Sequence, residues 1–81
     1  MENMEPIEVT ARFDEHGTVT PLQFTWKGSL QRVESTGRRW VDEGGLHILV
    51  MVVSGRMYEL TYQSGEGKWF ISRAAPEHKF V

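Results

Sequence analysis

The chain has 81 residues, no cysteine and a formal net charge of −2, which leaves room for one core and excludes a disulfide framework or a thiolate metal site. Hydrophobic residues make up 40% of it and aromatic residues 11%, with three tryptophans, so a few large side chains must fill most of the interior. The longest apolar run, Ile48 to Val53, is far shorter than the roughly 20 residues of a membrane helix, and Met1 to Pro6 is acidic rather than signal-like. These features predict a single soluble, cytoplasmic domain over residues 1–81, with 1–5 and 76–81 as loose tails.

Hydrophobicity alternates with period two along almost the whole chain, the pattern of strands with one face in a core and one in water. Ile7, Val9, Ala11 and Phe13 share a face, and Asp14-Glu15-His16-Gly17 follows as a turn. Thr18 to Trp26 resumes the pattern with Leu22, Phe24 and Trp26 together; Pro21, which cannot donate to a ladder, marks the strand's start or an exposed edge. Gly28-Ser29 reads as a bend, Leu30 to Ser35 as a strand, Thr36-Gly37 as a turn, and Arg38 to Val41 as a short extended piece.

Asp42-Glu43-Gly44-Gly45 forms a loop. Leu46 to Val53, apolar at nearly every position, fits a central strand covered on both faces. Ser54-Gly55 is a two-residue hairpin signal, and Arg56 to Gln63 returns with Tyr58, Leu60 and Tyr62 on one face. Ser64 to Gly67 closes a second hairpin, and Lys68 to Arg73 is the last strand, with Trp69 and Ile71 facing together before Pro76. No segment holds the apolar spacing of an amphipathic helix over two turns. The fold predicted is all-β: an antiparallel meander of five or six strands, curled into an open sheet or an SH3-like small barrel. Phe13, Phe24, Trp26, Tyr58 and Trp69 are its expected core aromatics.

Catalytic and metal chemistry finds no foothold. His16, His47 and His78 are far apart and lack a second ligand at metal spacing, so each is read as a structural or solvated histidine. The glycines sit singly at turns, the acid pairs Asp14-Glu15 and Asp42-Glu43 fall in turns, and no serine has a partnered base. The chain is therefore read as non-enzymatic, without metal or cofactor.

What remains is a mixture of rings and cations. Met1 to Thr20 holds Glu2, Glu5, Glu8, Asp14 and Glu15 against Arg12 alone, whereas Pro21 to Trp40 holds Lys27, Arg32, Arg38 and Arg39 against Glu34 alone. Lys27, Arg32, Arg38 and Arg39 with Trp40 form a candidate nucleic-acid surface, because bases stack on rings while cations track phosphates. Solvated edge cations, which also discourage aggregation, are the competing account.

Pro6-Ile7-Glu8-Val9, Pro21, Phe24-x-Trp26-x-Gly28, Val33, Trp40, Arg56-x-Tyr58-Glu59-Leu60 and Lys68-Trp69-Phe70-Ile71-Ser72-Arg73 together resemble a small uncharacterised bacterial all-β domain family. Its members occur alone or at the C-terminal end of proteins related to Y-family (translesion) DNA polymerases. The resemblance spans most of the chain and brings no catalytic residues; the chain departs from it in the aliphatic Leu46 to Val53 stretch, where a tyrosine- and arginine-rich strand is the family pattern. It implies only an association with DNA-repair proteins; with the ring-and-cation surface, the chain is read as a non-catalytic accessory domain that binds single-stranded nucleic acid weakly or sits beside a DNA-repair protein. The alternative is a protein–protein interaction module, or a homodimer, joined through an exposed strand edge; the sequence leaves monomer and homodimer open.

Overall fold

A computed structural model describes residues 4–73. Six strands follow one another: β1 (Glu5–Phe13), β2 (Val19–Trp26), β3 (Ser29–Asp42), β4 (Gly45–Val52), β5 (Met57–Gln63) and β6 (Lys68–Arg73). Each pairs antiparallel with the next, and β6 pairs with β1, so the meander closes into a barrel. Closure resolves the choice between open sheet and barrel, and its physical reason is that an open sheet of this size would expose two unpaired edges. No helix among the described residues is long and apolar enough to cross a membrane.

The interior is filled by Val19 and Phe24 of β2, Ile48, Val50 and Val52 of β4, Tyr58 and Leu60 of β5, and Trp69 and Ile71 of β6. Aromatic edges meet across it: Phe24 and Tyr58 have ring centroids 5.7 Å apart, and Tyr62 and Trp69 4.8 Å. The expected core positions of Phe24, Tyr58 and Trp69 hold. Trp26 is half-buried and packs against the core rather than within it. Phe13 is not a core residue: it is 54% exposed at the barrel mouth, with its ring edge against Tyr62.

Several local readings change. Glu5, expected in a loose tail, starts β1 and pairs with Ile71; residues 1–3 and 74–81, with His78 and the other tail expectations, lie outside the described residues. Leu22 is a bulge, skipped between the pairs Thr10↔Gln23 and Ala11↔Pro21. The extra residue reverses the facing of β2, so Val19 and Pro21 point inward with Phe24 while Leu22 is 46% exposed. Pro21 therefore lies inside the strand, beside a bulge and past the last β2–β3 pair, Gln23↔Arg32, where a missing donor is tolerated.

The turn expected at Thr36-Gly37 is absent, and β3 runs unbroken for 14 residues. Its pairing with β4 slips between Val33 and Ser35 and again between Thr36 and Arg39, each slip placing one extra residue on β3. A glycine inside such a strand marks a bulge rather than a reversal. β4 is covered on its inner side at Ile48, Val50 and Val52, but on the other side Leu49 and Met51 are half-buried and Val53 is exposed. Only His47 is buried on that outer side.

Candidate functional site

The outer face of the barrel is organised by pairs of opposed residues. Trp40 lies opposite His47, His47 opposite Thr61, Thr61 opposite Phe70, and Phe70 opposite Pro6, a row that crosses five strands. Directly opposed side chains are about 5 Å apart and diagonal ones about 7–8 Å. His47 can therefore reach four neighbours: Trp40 and Thr61 beside it, and the diagonals Asp42 and Glu59 on opposite sides along β4.

All four contacts are made. Nε2 of His47 is 2.7 Å from Asp42 Oδ1, and Nδ1 is 2.8 Å from Glu59 Oε2. The Thr61 hydroxyl lies 3.1 Å from the same Nδ1. The imidazole stacks on the Trp40 indole, with centroids 5.1 Å apart and planes 8° from parallel. Asp42 Oδ1 also accepts the Gly44 amide at 2.8 Å, so one carboxylate ties the β3–β4 turn to the ring. Met4, Trp40, Asp42, His47 and Glu59 line a shallow depression here.

The electrostatics follow from these bonds. Burial opposes a charge on His47, but hydrogen bonds to Asp42 and Glu59, reinforced by their fields, raise its pKa above the ordinary 6.5. The hydrogen bond from His47, then that from the Gly44 amide, lower the Asp42 pKa below its ordinary 3.8 against a smaller desolvation effect. A ring with a carboxylate on each nitrogen donates to both whenever it is protonated, and the two carboxylates favour that form. Among the described residues no group of three or more His, Asp or Glu side chains is placed to hold a metal ion.

The candidate nucleic-acid residues divide. The Arg38 guanidinium lies over the Trp40 ring, 5.2 Å from its centroid, so these two meet. Trp40 is half-buried, with the Arg38 guanidinium and the His47 ring both against its indole, rather than free. Arg32 stands exposed earlier on the same strand. Arg39 turns to the opposite side and donates through Nη1 to the Val19 carbonyl at 2.8 Å, bridging β3 to β2. Lys27 is in the β2–β3 turn with its ammonium over Trp26 at 5.2 Å, away from the Arg38–Trp40 pair. The five do not converge on one surface; Arg32, Arg38 and Trp40 share a strand, and Lys27 and Arg39 are elsewhere. Among the described residues none of these cations lies within 4.0 Å of a carboxylate: the ion pairs are those of His16, His47 and Lys68.

Sequence reasoning treated His47 as an isolated structural histidine and missed its partners, because Asp42 and Glu59 are 5 and 12 residues from it. Strand pairing, not sequence spacing, brings them together. Compared with models of known protein families, with curated proteins and with solved structures, the chain matches none.

Proposed function

We propose that this barrel is a non-catalytic binding module that holds single-stranded nucleic acid weakly along the outer side of β3. Arg32 and Arg38 contact phosphates, and the Arg38–Trp40 stack receives a base. The observation that carries this reading is the guanidinium over the half-buried indole, on an exposed strand whose cations have no carboxylate partner among the described residues. Guanidinium planes and aromatic faces both stack on bases, and the same guanidinium can move to a phosphate and leave its place on the ring to a base. Protonation of His47, which its two carboxylate partners favour, supports the reading too, since it offsets part of the negative field of Asp42 and Glu59 beside the stack. Resemblance to a domain attached to translesion-polymerase-like proteins adds a DNA-repair setting.

The competing reading, a partner strand added to a free edge, draws on the fact that β3 from Val33 onward pairs only with β4 among the described residues. That edge, however, is broken by two bulges and carries Glu34, Arg38 and Arg39, features that discourage strand addition. The nucleic-acid reading is therefore preferred.

Titration with oligothymidylate at low salt tests it. Tryptophan fluorescence is quenched in the wild type and not in Trp40→Phe. The logarithm of affinity falls with that of salt at a slope of about −1.4, as roughly two phosphate contacts to a single strand require, and Arg38→Ala reduces the slope by about 0.7. Absence of quenching at low salt, or a slope that Arg38→Ala leaves unchanged, removes the proposal.

A further inference from the structure

His47 has more partners than one charge state can use, and the surplus is informative. Nε2 faces Asp42 alone, whereas Nδ1 faces both Glu59 at 2.8 Å and the Thr61 hydroxyl at 3.1 Å. The two Nδ1 partners differ in kind. A carboxylate only accepts, so it needs a proton on Nδ1; a hydroxyl accepts or donates, so it can serve Nδ1 with or without that proton. Thr61 is buried and its hydroxyl cannot turn to water instead, while the Glu59 side chain is 26% exposed and can.

We propose that His47 is a two-state proton latch, in which the protonated ring clamps Asp42 and Glu59 together and the neutral ring keeps Asp42, accepts the Thr61 hydroxyl at Nδ1 and releases Glu59 to solvent. In the charged state Nε2–H donates to Asp42 and Nδ1–H to Glu59, which fastens the β3–β4 turn to β5. Loss of the Nδ1 proton places a lone pair opposite the Glu59 carboxylate. That contact is repulsive, and the threonine supplies the donor that satisfies the nitrogen. In the charged state the Thr61 hydroxyl shares the Nδ1 proton with Glu59, and in the neutral state it donates to the bare nitrogen, so both ring nitrogens keep a partner in each state, the condition for two discrete states rather than local unfolding.

The groups that face the ring come from every neighbouring element. β3 contributes Asp42, and Arg38 across Trp40; the turn contributes Glu43; β5 contributes Glu59; the opposed positions of β6 and β1 are the uncharged Phe70 and Pro6. The charge of the Asp42–His47–Glu59 group thus passes from −1 to −2 when the latch opens, next to the Arg38–Trp40 stack. The latch does not depend on what binds that stack. One consequence rests on the nucleic-acid reading: oligonucleotide affinity falls as pH rises through the His47 titration.

Long-range proton–nitrogen NMR of the imidazole across the titration, with carbon shifts of the Glu59 carboxylate, tests the latch. Wild type titrates above the ordinary histidine value, its neutral ring keeps the proton on Nε2, and Glu59 shifts with the same midpoint. Thr61→Val keeps the side chain's shape but removes the hydroxyl that donates to Nδ1, and the neutral ring then moves its proton to Nδ1, toward Glu59. In Glu59→Gln the midpoint falls below that of wild type. A neutral wild-type ring protonated on Nδ1, a Glu59 carboxylate indifferent to the His47 midpoint, or a tautomer unchanged by Thr61→Val each overturns the proposal. Should oligonucleotide binding fail while the tautomer result holds, the ligand reading alone is lost.

Discussion

With a carboxylate on each nitrogen, the His47 ring in the folded chain keeps its proton to a higher pH than the same ring in the unfolded chain, where 6.5 is the reference. Its contribution to stability is complete below 6.5 and is lost as pH rises through the raised folded value. Asp42 acts in the opposite sense: its lowered pKa contributes stability above 3.8 that is lost as pH falls through the folded value. Urea midpoints measured from about pH 3 to about pH 9 should therefore pass through a maximum between these limits. His47→Asn should flatten the alkaline decline and leave other carboxylates to set the acid one. A midpoint still falling on the alkaline side in His47→Asn would assign that limb to another group. The ionisable residues were all visible in the sequence, but a histidine's partners are fixed by its row in a sheet. For His47 that row depends on the length of the β4–β5 connection and on the β3 bulges, which its spacing from its partners in the sequence does not display.

Turns and bulges set those rows. Lys27 and Gly28 both have positive φ, 51° and 78°, between the paired Trp26 and Ser29, the geometry of a two-residue I′ hairpin. Lysine is strained there, so Lys27→Asn should raise stability by about 0.5–1 kcal/mol in denaturant titrations. Gly45 is more constrained: its φ is 125°, and a Cβ would lie 2.5 Å from the Tyr62 carbonyl oxygen. Gly45→Ala should cost about 2 kcal/mol or more, and it should also loosen the turn that presents Asp42. The Ser54-Gly55 signal located a hairpin correctly but miscounted its loop. The bonds Gly55 N–H to Val52 and Val52 N–H to Arg56, with φ of 97° at Gly55, describe a three-residue connection. A two-residue loop would have set His47 against Tyr62 instead of Thr61 and put core residues opposite solvent. The information was present: Ile48, Val50, Val52, Tyr58, Leu60 and Tyr62 are all even-numbered, which only an even pairing sum can satisfy. Leu22 and the β3 bulges gave no such warning, because an extra residue in a strand leaves no mark on composition.

At the scale of the whole molecule, the barrel depends on a core whose fully enclosed apolar members, among the described residues, are few: Pro21, Phe24, Ile48, Val50, Val52, Leu60 and Ile71. Leu60 sits between Ile48 and Ile71 across three strands, so Leu60→Ala should cost about 2–5 kcal/mol. Against the roughly 5–15 kcal/mol typical of a domain, that loss should bring the protein close to unfolding at room temperature, as read by urea denaturation. The all-β fold was legible because alternation is a local property. Closure was not, since it depends on β6 meeting β1 through the three pairs Glu5↔Ile71, Pro6↔Phe70 and Ile7↔Trp69. The β2–β3 junction is short as well. β2 and β3 part after Gln23↔Arg32, and farther along the gap the Arg39 guanidinium holds the Val19 carbonyl. A ring clasped by one flexible side chain yields there before it yields elsewhere. Amide protons near Val19 should exchange with solvent sooner in Arg39→Ala than in the native chain, while those of β5 keep their rates, so that the barrel breathes by unzipping along one flank rather than by melting as a whole.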